Sequence, residues 1–427
     1  MSRLVSIFAY QIARTIVVGG LLLTVAGVAS AQDRIYWDGG NTTQNGAVDG
    51  GDGTWDDAST NWTSQTGGVN YTADGLGALP DRRFSGAGGT VNVTATTPQA
   101  GRMQFSSSGY RLQGAAVDVQ GRLVLSTGTT TTIANALTAD GLESASTGVL
   151  IIDATGTLQI DSGESVAAIA GNITNNGTLA FNRSDDLVLT NTINGTGLIR
   201  QQGAGILTFN RAGATYSGNV EVVNATFRPN NVEILGVVTL DGGTLRNLQP
   251  ADPPAEIALR AGGGAIFVDV PTFGTGNNIS GIGKLTKTGA GQLRLNGNRT
   301  FSGGMDINEG AVIFRDSSGA VTTPFGTGPV TVAAGARLDL SDAMTVPNAV
   351  SLVATSDVRI ATSYPITLSG NINFGGGSEA ITLLGGTTAD QTVNFSGVLS
   401  NGGFLVDATA ISSARTLEFS GAGANTY

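Results

Sequence analysis

Two residue types that carry much of enzyme and metal chemistry are missing from this chain. None of its 427 residues is a cysteine or a histidine. A Ser-His-Asp or Cys-His nucleophile therefore cannot be assembled, nor can a His-Glu-x-x-His zinc site, and no disulfide can staple the fold. Charge is scarce as well. Charged residues make up 13% of the chain, and Lys284 and Lys287 are its only lysines. Disorder normally pairs low hydrophobicity with high charge, and here apolar residues still reach 40%, so a folded chain is expected. The formal net charge of -10 works against nucleic acid and anionic lipid as partners. Gly-x-Gly recurs, but no Gly-x-Gly-x-x-Gly stands between a strand and a helix, and Gly283-Lys284 lacks the Ser or Thr of a phosphate loop. No cofactor is expected.

What the chain has instead is glycine, 64 of them, and very short apolar/polar alternations between turns. The clearest case is 281–314, GIGKLTKTGAGQLRLNGNRTFSGGMDINEGAVIF. Leu293 and Leu295 share one strand face with Arg294 on the other, and Met305 and Ile307 repeat this around Asp306. Lys284 and Lys287 are read as a solvated strand face. Thr288–Gly291, Asn296–Asn298, Ser302–Gly304 and Asn308–Gly310 carry turn residues. Strands of four or five residues cannot stand alone, so each must stack on a copy of itself.

Copies exist. Residues 193–227 align with 281–314: Gly203-Ala204-Gly205 matches Gly289-Ala290-Gly291, and Thr215-Tyr216-Ser217-Gly218 matches Thr300-Phe301-Ser302-Gly303. A third, partial copy starts near Leu399 and resumes at Leu417. Gly281, Gly283, Leu285, Lys287, Gly289 and Gly291, followed by Leu293, Leu295 and Thr300-Phe301-Ser302-Gly303-Gly304, resemble the autotransporter-associated β-strand repeat of passenger domains. The second copy carries Gln201 where that pattern has lysine. The resemblance implies an all-β fold, a right-handed parallel β-helix. It also implies that the repeats assist transport through an outer-membrane barrel encoded downstream. Stacking of short strands reaches a solenoid independently, without its handedness. Glycines followed closely by Leu, Ile or Val at 156, 177, 197, 218, 243, 264, 283, 310 and 335 keep a beat suited to one solenoid turn.

Residues 1–31 read as a signal peptide. Arg3 and Arg14 precede an apolar run, and Ala29-Ser30-Ala31 offers a cleavage site before Gln32. Loss of those arginines takes the net charge from -10 to -12. Residues 32–114 hold all three tryptophans, Trp37, Trp55 and Trp62. They read as an N-terminal capping segment that hides the first rung's apolar surface and strand edge. Residues 115–427 read as the repeat-bearing β-helix, with a loop excursion at Pro250, Pro253 and Pro254.

Two places in the sequence could offer carboxylate chemistry. Asp185-Asp186 could serve a polysaccharide-degrading β-helix, but neighbours on a strand point to opposite faces, and the Asn-Thr-Asp and Gly-His-Gly elements of polygalacturonase-like enzymes are absent. DGGDGTWDD at 49–57 begins like a glycine-rich calcium repeat, with Trp55 where the ligand aspartate belongs. A solvated turn is the reading at both, so no catalytic residue or metal ligand is assigned, with calcium at 49–57 the alternative. The expectation is an exported, adhesin-like passenger at the surface of a Gram-negative cell, meeting a glycan or protein of a host or neighbouring cell. A carbohydrate-active β-helix enzyme is the alternative. A two-partner-secreted haemagglutinin would carry an Asn-Pro motif near its start, and the chain has none.

Overall fold

The computed structural model describes residues 17–18, 21–22, 34–72, 80–96, 99–134, 137–139, 150–161, 171–247, 254–275, 278–297, 299–315, 321–361, 363–384, 392–407, 416–423 and 425–426. The cleavage-site residues Ala29, Ala31 and Gln32, and Pro250 and Pro253 of the expected excursion, lie outside the described residues.

Among the described residues there is no helix. About 54% of the chain is strand, wound into a parallel β-solenoid of about 13 turns. Most strands hold two to five residues, as the turn spacing requires. Pairing runs coil to coil. Leu158 lies against Leu179, Leu179 against Ile199, Ile199 against Val220, Val220 against Val238, Val238 against Ile257, and Ile257 against Ile279. Each step is 18 to 22 residues.

The faces hand over along the stack. A nine-stranded sheet holding Asp81–Phe84 and Arg102–Phe105 ends at Ile193–Asn194. An eleven-stranded sheet runs from Gly53–Trp55 to Asn278–Gly281. A second eleven-stranded sheet starts at Leu187–Leu189 and continues to Leu399–Ser400. Seven- and four-stranded sheets, from Thr272–Thr275 and Met344–Val346 onward, complete the later coils.

Alternation decides the core. In Val117–Val119, Leu150–Ile152, Met305–Ile307 and Val330–Val332 the outer two residues are buried and the middle one is partly exposed. The inward residues join one continuous apolar cluster from Ile35 to Leu399. Burying such a side chain contributes about 1.5–3 kcal/mol. Coils are tied further by Asx side chains at the turns. Asn219 accepts from the Val237 amide at 3.0 Å, Asp186 from Ile206 at 2.8 Å, and Asp241 from Gly262 at 2.9 Å.

At the N-terminal end the parallel rule breaks. Arg34–Trp37 pairs parallel with Asp81–Phe84, but its other edge takes Trp62–Thr63 antiparallel, and Trp62–Thr63 takes Asn70–Tyr71. Trp37, Trp55 and Trp62 are fully buried. Trp62 meets Trp37 and Trp55 edge-on, with ring centroids 5.1 and 5.2 Å apart. The Arg82 guanidinium lies 4.5 Å from the Trp55 ring and 4.8 Å from Trp62, and its Nε donates to the Gln99 carbonyl at 2.7 Å.

The glycine beat is partly one column. A Cβ on Gly177, Gly197 or Gly218 would fall 2.1–2.4 Å from the carbonyl oxygen of the glycine one coil earlier. The column then passes to Gly236, not to Gly243, which pairs with Gly264 in another sheet.

Candidate functional site: the repeat at 281–314

The repeat is built from short strands joined by turns. Leu285–Thr288 lies between Gly264–Val268 below and Met305–Ile307 above. Gln292–Leu295 lies between Thr272–Thr275 and Ala311–Phe314. Leu285, Leu293, Leu295, Phe301, Met305 and Ile307 are fully buried, while Arg294 and Thr300 are exposed. Leu293 packs in the ladder between Phe273 and Val312.

The glycines of the motif sit where coils touch. Gly289 has φ +79°, a left-handed conformation that strains any residue with a Cβ. A Cβ on Gly291 would lie 1.9 Å from the Val270 carbonyl oxygen. Gly303 stacks on Gly283 and Gly281 on Leu259, at distances that also leave no room for a methyl group. Gly304 closes the corner against Pro329.

One expectation fails here. Lys284 and Lys287 do not share a solvated face. Lys284 is exposed and its Nζ lies 2.9 Å from Asp306 Oδ2. Lys287 has no exposed surface at all. The reason is strand geometry: residues three apart point to opposite sides, and Lys287 is in phase with inward Leu285. Its ammonium is held by backbone oxygen alone. Nζ donates to the carbonyls of Thr288 at 2.8 Å, Gly289 at 2.7 Å and Glu309 at 3.0 Å. Burial pushes its pKa down to about 8, with the Glu309 carboxylate pulling the other way. That carboxylate accepts the Gly289 amide at 2.7 Å. Glu309 was not singled out from sequence; its only signal was its place in the turn stacked on 288–291.

The second copy repeats the device with a neutral group. Gln201 is 2% exposed, and its Nε2 donates to the carbonyls of Gly203 at 3.1 Å and Gly205 at 2.6 Å. Yet the copies occupy different faces. Leu198–Gln201 belongs to the first eleven-stranded sheet, and Leu285–Thr288 to the second. Tyr216, at the Phe301 position, is buried; it donates to the Gly197 carbonyl at 2.7 Å and receives the Asn175 amide at 3.0 Å.

The acidic candidates are committed elsewhere. Asp185 and Asp186 are both exposed in a turn. Asp185 is bound by Arg183, which holds its carboxyl below the usual range, and Asp186 accepts the Ile206 amide. In 49–57, Asp49 takes the Asn41 and Asn45 amides, Asp52 the Thr90 amide, Asp56 the amides of Ala58 and Ser59, and Asp57 that of Thr96. Trp55, in the ligand position, points into the core. Nearby Asp38 is buried, which raises its pKa. Among the described residues no three carboxylates converge on a metal-sized site. Several carboxylates at or near the interior are met by arginine, Glu221 by Arg200 and Arg260, Asp81 by Arg83, and Asp161 by Arg111, whereas buried Asp38 accepts the Asp49 amide at 2.7 Å.

The arrangement therefore defines a scaffold of stacked coils with a distinctive turn-locking repeat. Residues 285–313 match the family described as passenger-associated-transport-repeat. Over 93% of its length the chain is 27% identical to the adhesin BmaC autotransporter of Brucella suis biovar 1 (strain 1330). It spans 11% of that much longer relative. No solved structure matches it. The coil stack, the repeat and this similarity together support an autotransporter passenger domain.

Proposed function

We propose that the chain is an exported, adhesin-like passenger segment of a type V secretion protein, a scaffold that works by presenting surface. The observation that carries this reading is the passenger repeat lying inside a parallel stack of coils, with its motif residues at the contacts between coils. In this reading residues 1–31 direct export and are removed before Gln32. Residues 32–114 begin the stack and cap its first edge. Residues 115–427 form the repeat-bearing solenoid. A translocation barrel in the full-length protein carries the chain across the outer membrane, and the exposed faces meet a glycan or protein on a host or neighbouring cell. Coils whose strands pair only with those of the adjacent coils can fold as they emerge, each on the one before, where no ATP is available.

The test is expression of the complete gene in a Gram-negative host. Protease added to intact cells should release peptides from 32–427, and the exported material should begin at Gln32 by N-terminal mass spectrometry. Cells carrying the protein should attach to a host-cell layer more than cells lacking 32–427. A protein that stays protease-protected in intact cells, or attachment unchanged by the deletion, would overturn the reading.

A further inference from the structure

Lys287 sits in a solenoid whose strands pair one coil on the next. Its three acceptors are divided between coils. Thr288 and Gly289 belong to its own turn, while Glu309 belongs to the turn stacked above, 22 residues on. The contact is reciprocal, because the Glu309 carboxylate reaches down to the Gly289 amide at 2.7 Å. The same two turns are also joined by Asn308 N to the Lys287 carbonyl at 3.0 Å and by Ala311 N to Gly291 at 3.3 Å.

A buried ammonium that keeps one donor unfilled is costly, because each lost partner leaves part of the charge without solvation. Before the upper turn docks, Lys287 has only its own two carbonyls and water. Once Glu309 arrives, the third donor and the Gly289 amide are satisfied together. Gln201 offers the contrast. Both its acceptors, Gly203 and Gly205, lie in its own turn, so it locks a corner without reaching the next coil.

We infer that Lys287 and Glu309 form a latch that makes two successive coils one cooperative folding unit. The lower coil carries Leu285–Thr288 and Gln292–Leu295, and the upper carries Met305–Ile307 and Ala311–Phe314. The buried ammonium and the Gly289 amide of the lower coil are completed by the upper one. Lys287 is a positioning residue in this scheme, acting through the turns at 288–291 and 308–310. The inference stands apart from the passenger reading, and its failure would leave that reading untouched.

Native-state hydrogen exchange on the whole chain, followed by mass spectrometry under increasing denaturant, tests it. In the unmodified protein, amides of the two coils should open together. In Lys287→Met the two coils should open separately, with the 288–291 turn exchanging roughly ten- to hundredfold faster than in the unmodified protein, the loss of hydrogen bonds to a charged group. Lys287→Gln should keep the lower turn protected, as Gln201 does in its own copy, yet still uncouple the upper coil. Gln201→Met should loosen the 203–205 turn and leave exchange between coils unchanged. If Lys287→Met fails to fold, Glu309→Ala removes only the downward arm and should expose the Gly289 amide first. Separate opening of the two coils in the unmodified protein would overturn the latch, and so would joint opening in both Lys287→Met and Glu309→Ala.

Discussion

Leu293 and Arg294 are chain neighbours with opposite fates, and substituting aspartate at each measures what the stack depends on. Leu293 has no exposed surface and lies in a ladder between Phe273 and Val312; Arg294 is exposed. Removing a buried leucine costs about 2–5 kcal/mol. The carboxylate put in its place must stay protonated at neutral pH, about three pKa units above its ordinary value, which adds ~4 kcal/mol. Leu293→Asp should therefore cost on the order of 6–9 kcal/mol locally. Arg294→Asp removes at most a surface interaction, about 1 kcal/mol or less.

Limited proteolysis with peptide mapping is the suitable assay, because a solenoid need not unfold in one step. Leu293→Asp should be nicked between 288 and 302 and should leave coils before 260 and after 340 resistant. Arg294→Asp should give the digestion pattern of the unmodified chain. Equal sensitivity of the two variants would refute the assigned faces. Collapse of the entire chain from Leu293→Asp would refute the nearest-neighbour stack.

Two further tests address the same repeat. The Lys287 pKa falls from 10.5 unfolded to about 8 folded, so between those values the unfolded chain holds the proton longer and stability should rise with pH, by up to about 1.4 kcal/mol per unit. The opposite trend sets in above pH 10, where Tyr216, raised to about 12, keeps its proton in the fold while the unfolded phenol loses it. Thermal or denaturant midpoints from pH 7 to 10 should climb in the unmodified chain and climb less in Lys287→Met; parallel curves would count against the buried ammonium. Among glycines, Gly291→Ala should be severe, its methyl 1.9 Å from a carbonyl oxygen, whereas Gly274→Ala, with nothing within 4 Å, should stay within about 1 kcal/mol. Comparable loss of protease resistance in both would show that close coil approach is not what these glycines serve.

Much of this was legible because strand faces are written locally. Period two puts Leu293, Leu295, Met305 and Ile307 inside without any knowledge of partners, and turn residues mark where each strand stops. The same period, applied consistently, would also have put Lys287 inside; charge alone suggested the surface. What could not be read was anything set by coil-to-coil register. Glu309 meets Lys287 only because two turns 22 residues apart stack, and no local pattern encodes that distance. The glycine column shows the same limit. Its steps through 156, 177, 197 and 218 follow the beat, but the next member is Gly236, fixed by a shorter coil rather than by spacing.

The two copies argue for what kind of unit the repeat is. Their sequences align closely, yet one puts its first strand in the sheet that ends at Asn278–Gly281 and the other in the sheet that continues to Leu399–Ser400. A motif tied to one face of the solenoid could not make that shift, since its neighbours above and below would change. What both copies keep is internal: an inward polar side chain, Gln201 or Lys287, whose hydrogens fill the carbonyls of the glycine turn that follows it. Those carbonyls point into an apolar interior, where an unfilled acceptor costs about 1–3 kcal/mol. The repeat thus carries the solution to its own buried turn and can sit at any corner. Only the lysine form has a third hydrogen to spare, and that hydrogen goes to the next coil. A passenger built of many coils gains corners from the glutamine form and gains coupled coils from the lysine form, so substituting one for the other changes where the stack can open without changing its faces.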